Sequence, residues 1–211
     1  MEVQLINITN KPIENIFKSY RICYSKLPYS EVKERTEEDM IKFIKPLMAE
    51  NHTSPLEHIN LTFAIDGISR ACLSQLTRHR TMSFNVKSQR YNSENEFKYV
   101  IPKSILENEK AKECFINSME LINEQYKSFV AMGIDKEEAR ALLPNACATN
   151  LVVTVDLNNF RKFLALRLCV SAQTEIRELA IKMRDLVKEQ IPFVDYKVMN
   201  CGVICNRCKG E

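Results

Sequence analysis

HINLTFAIDGISRACLSQLTRHR, residues 58–80, contains the change of period that decides the fold class. From His58 to Asp66 apolar and polar residues alternate, with Ile59, Leu61, Phe63 and Ile65 on one face and Asn60, Thr62 and Ala64 on the other. A period of two is that of a half-buried strand. Gly67 is expected to end it, and a helix is expected from about Ser69 to Leu76. The stretch closes on Arg78-His79-Arg80.

Working outward, Val3 and Leu5 alternate with Glu2 and Gln4, and the phase slips at Ile6, which predicts a strand with a bulge or with apolar groups on both faces. Thr36 followed by Asp39 reads as an N-cap, and Met40, Phe43, Ile44, Leu47 and Met48 follow at helical spacing. Pro46 lies inside that pattern and is expected to kink or shorten the helix. Residues 81–95 hold no sustained period and predict an ordered loop. Lys110 to Met132 predicts an amphipathic helix through Phe115, Met119, Ile122, Tyr126 and Phe129, closed by Gly133. A short helix from Lys136 to Leu142 stops at Pro144, and Leu151–Val155 is β-branched and apolar, a strand. One long helix is expected from about Asn158 to Gln190, ended by Pro192. The sum is an α+β chain, with residues 1–198 as a single catalytic domain and 199–211 as a cysteine-containing tail.

At 211 residues the chain can bury roughly 70% of its unfolded surface, so it needs no disulfide or metal staple. A net charge of +3 does not by itself imply a nucleic-acid partner. Polar residues interrupt the first ten positions, and no run of about 18 apolar residues occurs, so a soluble, cytoplasmic protein without a membrane span is expected. Of eight cysteines, Cys23, Cys72, Cys114, Cys147 and Cys169 are scattered and read as small buried hydrophobes.

Charge is unevenly spread. Gly67 to Ser93 holds no acidic residue, although Asp and Glu make up 27 of the 211 residues. It does hold Arg70, Arg78, Arg80, Lys87 and Arg90, interleaved with Ser83, Asn85, Ser88 and Gln89. Arginine forks match phosphate oxygens bidentately, and neutral amides and hydroxyls read the edge of a base. A nucleotide fits that combination better than a bare phosphate. All three histidines, His52, His58 and His79, fall between residues 52 and 79. His58, inside the strand pattern, reads as a core residue. No G-x-G-x-x-G occurs among only four glycines, so a dinucleotide has no Rossmann cradle here.

Arg78-His79-Arg80, seven residues, then Ser88 resembles the R-H-R-x7-S motif of the flavin-dependent thymidylate synthases. Residues His52 to His58 (HTSPLEH) resemble that family's upstream element, Ala139 to Pro144 (ARALLP) its A-R-x-x-L-P element, and Phe163 to Arg167 with Ala172 to Ile176 its F-L-x-L-R and A-Q-x-E-I elements. The matches run in family order from about residue 50 to 180. The resemblance implies the family's own α+β fold, with an antiparallel or mixed sheet, long helices and no Rossmann motif. It implies an FAD-dependent methyltransferase that converts dUMP to dTMP, with 5,10-methylenetetrahydrofolate as carbon donor, reduced FAD as hydride source and NADPH to recharge it. It also implies a homotetramer with shared active sites.

Carried over residue by residue, the resemblance puts Gln75, Arg78, Ser88, Gln89, Arg90, Arg140 and Arg167 at dUMP. His52, Ser54, Arg78, His79, Arg80, Asp156, Asn158 and Lys162 fall at FAD. Asp156, Asn158 and Lys162 differ in type from the Asn and Arg usual there, Val86 stands where the family frequently has a glutamate, and Ser171 where some members carry histidine. Arg167 is the expected catalytic residue. The family is thought to use no enzyme nucleophile, and a guanidinium at the uracil edge favours an N3-deprotonated, enolate-like ring electrostatically. Ser88 has no base partner adjacent in sequence and is read as a hydrogen-bonding residue. Cys147 reads as structural. Cys201, Cys205 and Cys208 have C-x3-C-x2-C spacing that could hold zinc or an iron–sulfur cluster, but no fourth ligand is near and no metal is assigned. The rival readings are a basic nucleic-acid-binding module and a zinc-dependent regulator built on that tail. Both predict a colourless protein.

Overall fold

The alternating segment folds as strand β2 (Asn60–Ser69), which buries Leu61, Phe63, Ile65 and Ile68. The strand runs through Gly67 instead of ending there. Gly67 takes a φ of 74° and inserts one extra residue into the alternation, so that Ile68 again points inward. The computed structural model describes residues 1–33, 35–92 and 94–198, and the three tail cysteines lie outside them.

The other strands are β1 (Glu2–Ile8), β3 (Ser83–Val86) and β4 (Ala148–Asp156). The antiparallel sheet has the order β1-β2-β4-β3. Thr9 N–H donates to Asn60 O at 3.0 Å, where the end of β1 meets the start of β2. The Thr62 and Thr154 hydroxyls pair at 3.0 Å, and Gly67 N–H donates to Asn150 Oδ1 at 3.2 Å, which sets the register of β2 on β4. β3 lies in the segment expected to be loop. Its four residues, with only Phe84 and Val86 half-buried, are too few to establish a period.

Two compact units are distinguished. One comprises Met1–Glu2, Ile65–His79 and Phe84–Val152; the other comprises Val3–Ala64, Arg80–Ser83 and the described residues from Val153 onward. The first holds helices α3 (Arg70–Leu76), α4 (Lys103–Leu106), α5 (Glu109–Ala131) and α6 (Lys136–Ala139). Ser69 caps α3, its hydroxyl accepting Cys72 N–H at 3.0 Å. Gly133, at a φ of 86°, ends α5 in a Schellman motif, with Gly133 N–H on Val130 O and Ile134 N–H on Phe129 O, both at 3.1 Å. Buried Phe97, Met119 and Cys147 form the cluster against which Tyr99, Phe115 and Leu143 pack. Leu121, Phe129, Met132 and Ile134 stay exposed.

The second unit holds α1 (Pro12–Tyr24), α2 (Glu37–Ala49), α7 (Leu157–Arg167) and α8 (Thr174–Lys188). α1 buries Ile13, Ile16, Phe17 and Tyr20, the spacing of one helix face. Thr36 caps α2 as expected, accepting Asp39 N–H at 3.3 Å, and three acidic residues in the first turn favour the helix dipole. α2 continues through Pro46 to Ala49. Lys42 and Pro46 lie on its exposed side, where water can take the carbonyl that proline leaves without a donor. Phe63, Phe160 and Phe163 form a ring series with centroids 5.6 and 6.0 Å apart, each ring contributing about 2–3 kcal/mol by burial.

Three expectations need correction here. The expected long helix from Asn158 to Gln190 is two helices: the chain breaks between Arg167 and Thr174 because Gln173 caps α8 through Ile176 N–H at 3.1 Å and Arg177 Nε donates to Leu168 O at 3.1 Å. No glycine or proline marks the break. His58 is exposed at the end of the 3₁₀ turn Ser54–His58, outside the strand. Cys23 and Cys114 are exposed, while Cys72, Cys147 and Cys169 are buried as read.

Candidate active site

The basic stretch leaves α3 in tight turns. Arg78 N–H donates to Gln75 O at 3.3 Å and His79 N–H to Leu76 O at 3.1 Å, so the helical turn continues into the motif. Gln75 and His79 are half-buried, and Arg78 is exposed. Arg80, also exposed, belongs to the other unit. Among the described residues, no carboxylate pairs with Arg78 or Arg80.

Beyond β3 the chain turns through Ser88, Gln89 and Arg90. Ser88 Oγ accepts Arg90 N–H at 3.2 Å, Ser88 O accepts Asn92 Nδ2 at 2.8 Å, and Gln89 Nε2 donates to Cys147 Sγ at 3.5 Å. Among the described residues no base is hydrogen-bonded to Ser88 Oγ. Burial pushes the Cys147 thiol up, and Glu94 adds to it, so the thiol stays protonated.

Arg90 and Arg140 come together on one residue that the sequence did not single out. Arg90 grips the Glu137 carboxylate as a fork, Nε to Oε1 at 2.8 Å and Nη2 to Oε2 at 2.9 Å. Arg140, which opens the 3₁₀ turn Arg140–Leu142, donates Nε to Glu137 O at 3.0 Å. Glu94, the partner of Lys87 from the acid-free window, is another residue the sequence did not single out. Lys87 Nζ meets Glu94 Oε1 at 2.9 Å, and Glu94 is only 4% exposed. The available signal was that Glu94 is the first acid after the acid-free run. Both residues help line a cavity of about 550 Å³ with Asp66, Glu96, Lys98 and Asn150. None of the residues expected at dUMP or FAD lines it.

In the second unit, His52 sits between two tyrosines. Tyr20 OH donates to His52 O at 2.5 Å, and Tyr24 OH and His52 Nδ1 are 2.8 Å apart. Ser54 opens its 3₁₀ turn and is exposed. Asp156 caps α7, with Oδ1 accepting Asn159 N–H at 2.9 Å and Oδ2 accepting Asn159 Nδ2 at 2.6 Å. Asn158 is buried and donates to Glu57 Oε1 at 2.8 Å, and Lys162 reaches Asn159 Oδ1 at 3.3 Å. Arg167 is the half-buried last residue of α7. Asp156 and Asn158 therefore both serve the helix start and its packing.

Burial pushes the Tyr20 phenol up to about 12, with Arg161 nearby acting the other way. The fold thus favours the neutral phenol. That preference is intact below a pH of about 10, where the unfolded phenol is also neutral, and is lost as the pH rises from about 10 to about 12, a change of about 2–3 kcal/mol. Urea titrations across that window should show the loss in the parent and a correspondingly smaller loss in Tyr20→Phe. Equal losses in both would remove Tyr20 from the account.

The family described as "Thymidylate synthase complementing protein" matches residues 4–193. A flavin-dependent thymidylate synthase of Geobacter sulfurreducens is 36% identical over 197 residues, covering 92% of this chain and 85% of its own. One from Thermococcus onnurineus is 40% identical over 192 residues, covering 87% and 77%. The chain belongs to the flavin-dependent thymidylate synthase family. The fold agrees: thymidylate synthase X of Helicobacter pylori, solved with FAD and dUMP, superimposes with a TM-score of 0.77 at 24% identity, over 95% of this chain and 100% of that one. A UMP/dUMP methylase of Streptomyces cacaoi, bound with 5-bromo-dUMP, gives a TM-score of 0.81 at 22% identity, over 95% and 94%. Within this flavin-dependent thymidylate synthase family chain, Val86 ends β3 half-buried and brings no carboxylate to the motif. Among the described residues no helix is long and apolar enough to cross a membrane.

Proposed function

We propose that this chain is a flavin-dependent thymidylate synthase that converts dUMP to dTMP. The observation that carries the reading is the R-H-R-x7-S segment, folded at the end of α3 and around β3 in a chain that matches the family over residues 4–193. 5,10-Methylenetetrahydrofolate is the carbon donor. When bound, reduced FAD supplies the hydride, and NADPH recharges it.

The donor chemistry fits both nucleotides. Arg90 already holds a carboxylate in the bidentate geometry that a phosphate takes, with Arg140 beside it on Glu137. These two, with Arg78, Ser88, Gln89 and Gln75, bind dUMP in this reading. Exposed Arg78 and Arg80, which pair with no carboxylate among the described residues, suit the FAD diphosphate; His79, His52 and Ser54 complete its contacts, with Asp156, Asn158 and Lys162 as further candidates. Arg167 acts at the uracil. Its guanidinium stabilises the negative charge that develops as N3 loses its proton to solvent water and C5 gains electron density, and it takes no proton itself. The C5 hydrogen is replaced by the methyl group.

The exposed apolar residues Leu121, Phe129, Met132 and Ile134 at α5 and its end support association between copies of this chain; a homotetramer with shared active sites is the assembly that the family reading implies. A cytoplasmic location follows from the same reading. Purified protein is expected to be yellow, to bleach on anaerobic addition of NADPH, and to elute as a tetramer. A colourless protein that binds RNA or DNA in a salt-sensitive way would overturn the proposal in favour of a nucleic-acid-binding module.

A further inference from the structure

Lys87 is held from three directions. Its N–H donates to Asn150 O at 2.9 Å, its carbonyl accepts Arg70 Nη2 at 2.9 Å, and its ammonium meets Glu94 Oε1 at 2.9 Å. The hold reaches the interior, because Glu94 is 4% exposed and its N–H donates at 3.4 Å to the hydroxyl of Tyr126, which is fully buried on α5. Burial lowers the Arg70 guanidinium from its ordinary range, as expected of a half-buried group that packs as well as bonds.

Ser88, Gln89 and Arg90 follow Lys87 directly. The Lys87–Glu94 pair joins the two ends of the turn that bears them, like a staple across a short loop. Inside that turn, the Ser88–Arg90 and Ser88–Asn92 bonds fix the local path. We propose that Lys87, with Arg70 and Glu94 acting through it, is a positioning residue that preorganises this turn for the dUMP phosphate. The inference rests on the functional reading above. A turn already closed by the ion pair loses little further freedom when substrate arrives; an open one must be ordered at the expense of affinity.

Removing one partner would leave a buried charge and threaten folding, whereas replacing both is tolerated far better. The test is therefore the double variant Lys87→Met with Glu94→Gln. KM for dUMP should rise about tenfold, the order set by freeing one or two side chains, while kcat and FAD content stay within about twofold. Lys87→Arg, which keeps the charge, should restore most of the affinity. A folded double variant whose KM matches the parent, or whose kcat falls at unchanged KM, overturns the inference. Should the double variant not fold, Arg70→Lys must raise KM in the same way, and an unchanged KM there is equally fatal. Turnover of dUMP by the parent separates the two levels: if the parent is inactive the functional reading fails, and if it is active with unaltered variants only the anchor fails.

Discussion

Arg167→Ala is expected to lower turnover of dUMP by about 100- to 1000-fold, the range found when one preorganised donor to a developing negative charge is removed. FAD content and thermal stability should change little by comparison. The position of Arg167 is fixed by the helix that ends on it: α7 buries Leu157, Phe160, Phe163 and Leu164, which sets the rotation at which its last residue leaves the core. The side chain is half-buried, so its field is screened less than that of a surface arginine. Arg167→Lys keeps the charge but loses the planar fork, and should recover only part of the rate. Single-turnover kinetics on the FAD-loaded variants separate this from a binding defect. Near-normal turnover in Arg167→Ala would remove the residue from the chemistry.

Arg161→Met should produce the largest loss of stability. The Arg161 guanidinium donates to Val194 O at 2.6 Å, to Tyr196 O at 2.8 Å and more weakly to Phe193 O at 3.4 Å. Burial lowers it from its usual range, with Tyr20 and Asp195 acting against that shift. Ile191, Phe193 and Val194 are almost fully buried, so the chain that follows α8 is docked through both apolar contacts and this one cation. Methionine fills most of the volume but leaves the carbonyls without their donor. Two or three bonds to a charged group make a cost of about 3–5 kcal/mol reasonable, or roughly 10 °C in Tm for a chain of this length. A thermal melt of the apoprotein checks it. A fall of only about 2 °C would mean that water replaces the guanidinium.

Where the signal was local, the sequence was a good guide. The alternation that becomes β2 from Asn60, the Thr36 cap and Gly133 each depend on residues a few positions apart, and all three appear in the fold. The break between α7 and α8 was invisible because it is made by a glutamine cap and by Arg177 reaching back nine residues to Leu168 O, with no glycine or proline to announce it. Pro46 does not end α2, because a proline on a wet helix face leaves its freed carbonyl to water. β3 was too short to show a period.

The candidate site follows the same division. The motif arginines were legible because an acid-free window surrounds them. Glu137 was not, since its bond to Arg90 spans 47 positions and only the fold brings them together. Arg161 reads in sequence as one more basic residue on a helix; its partners lie more than 30 residues away and are backbone carbonyls, which no residue type encodes. The family resemblance supplied the candidate site residues, and the structure added the groups that hold three of them: Glu137 at Arg90, Glu57 at Asn158 and two tyrosines at His52.

In the proposed reaction this chain replaces the hydrogen at C5 of dUMP with a methyl group in a flavin-dependent manner. Release of tritium from [5-³H]dUMP measures that replacement. With FAD, NADPH and 5,10-methylenetetrahydrofolate present, tritium release matched by formation of dTMP is expected, with dTMP formation lost when either the folate or the flavin is withheld. Stoichiometric FAD on the protein with no tritium release under these conditions would contradict it.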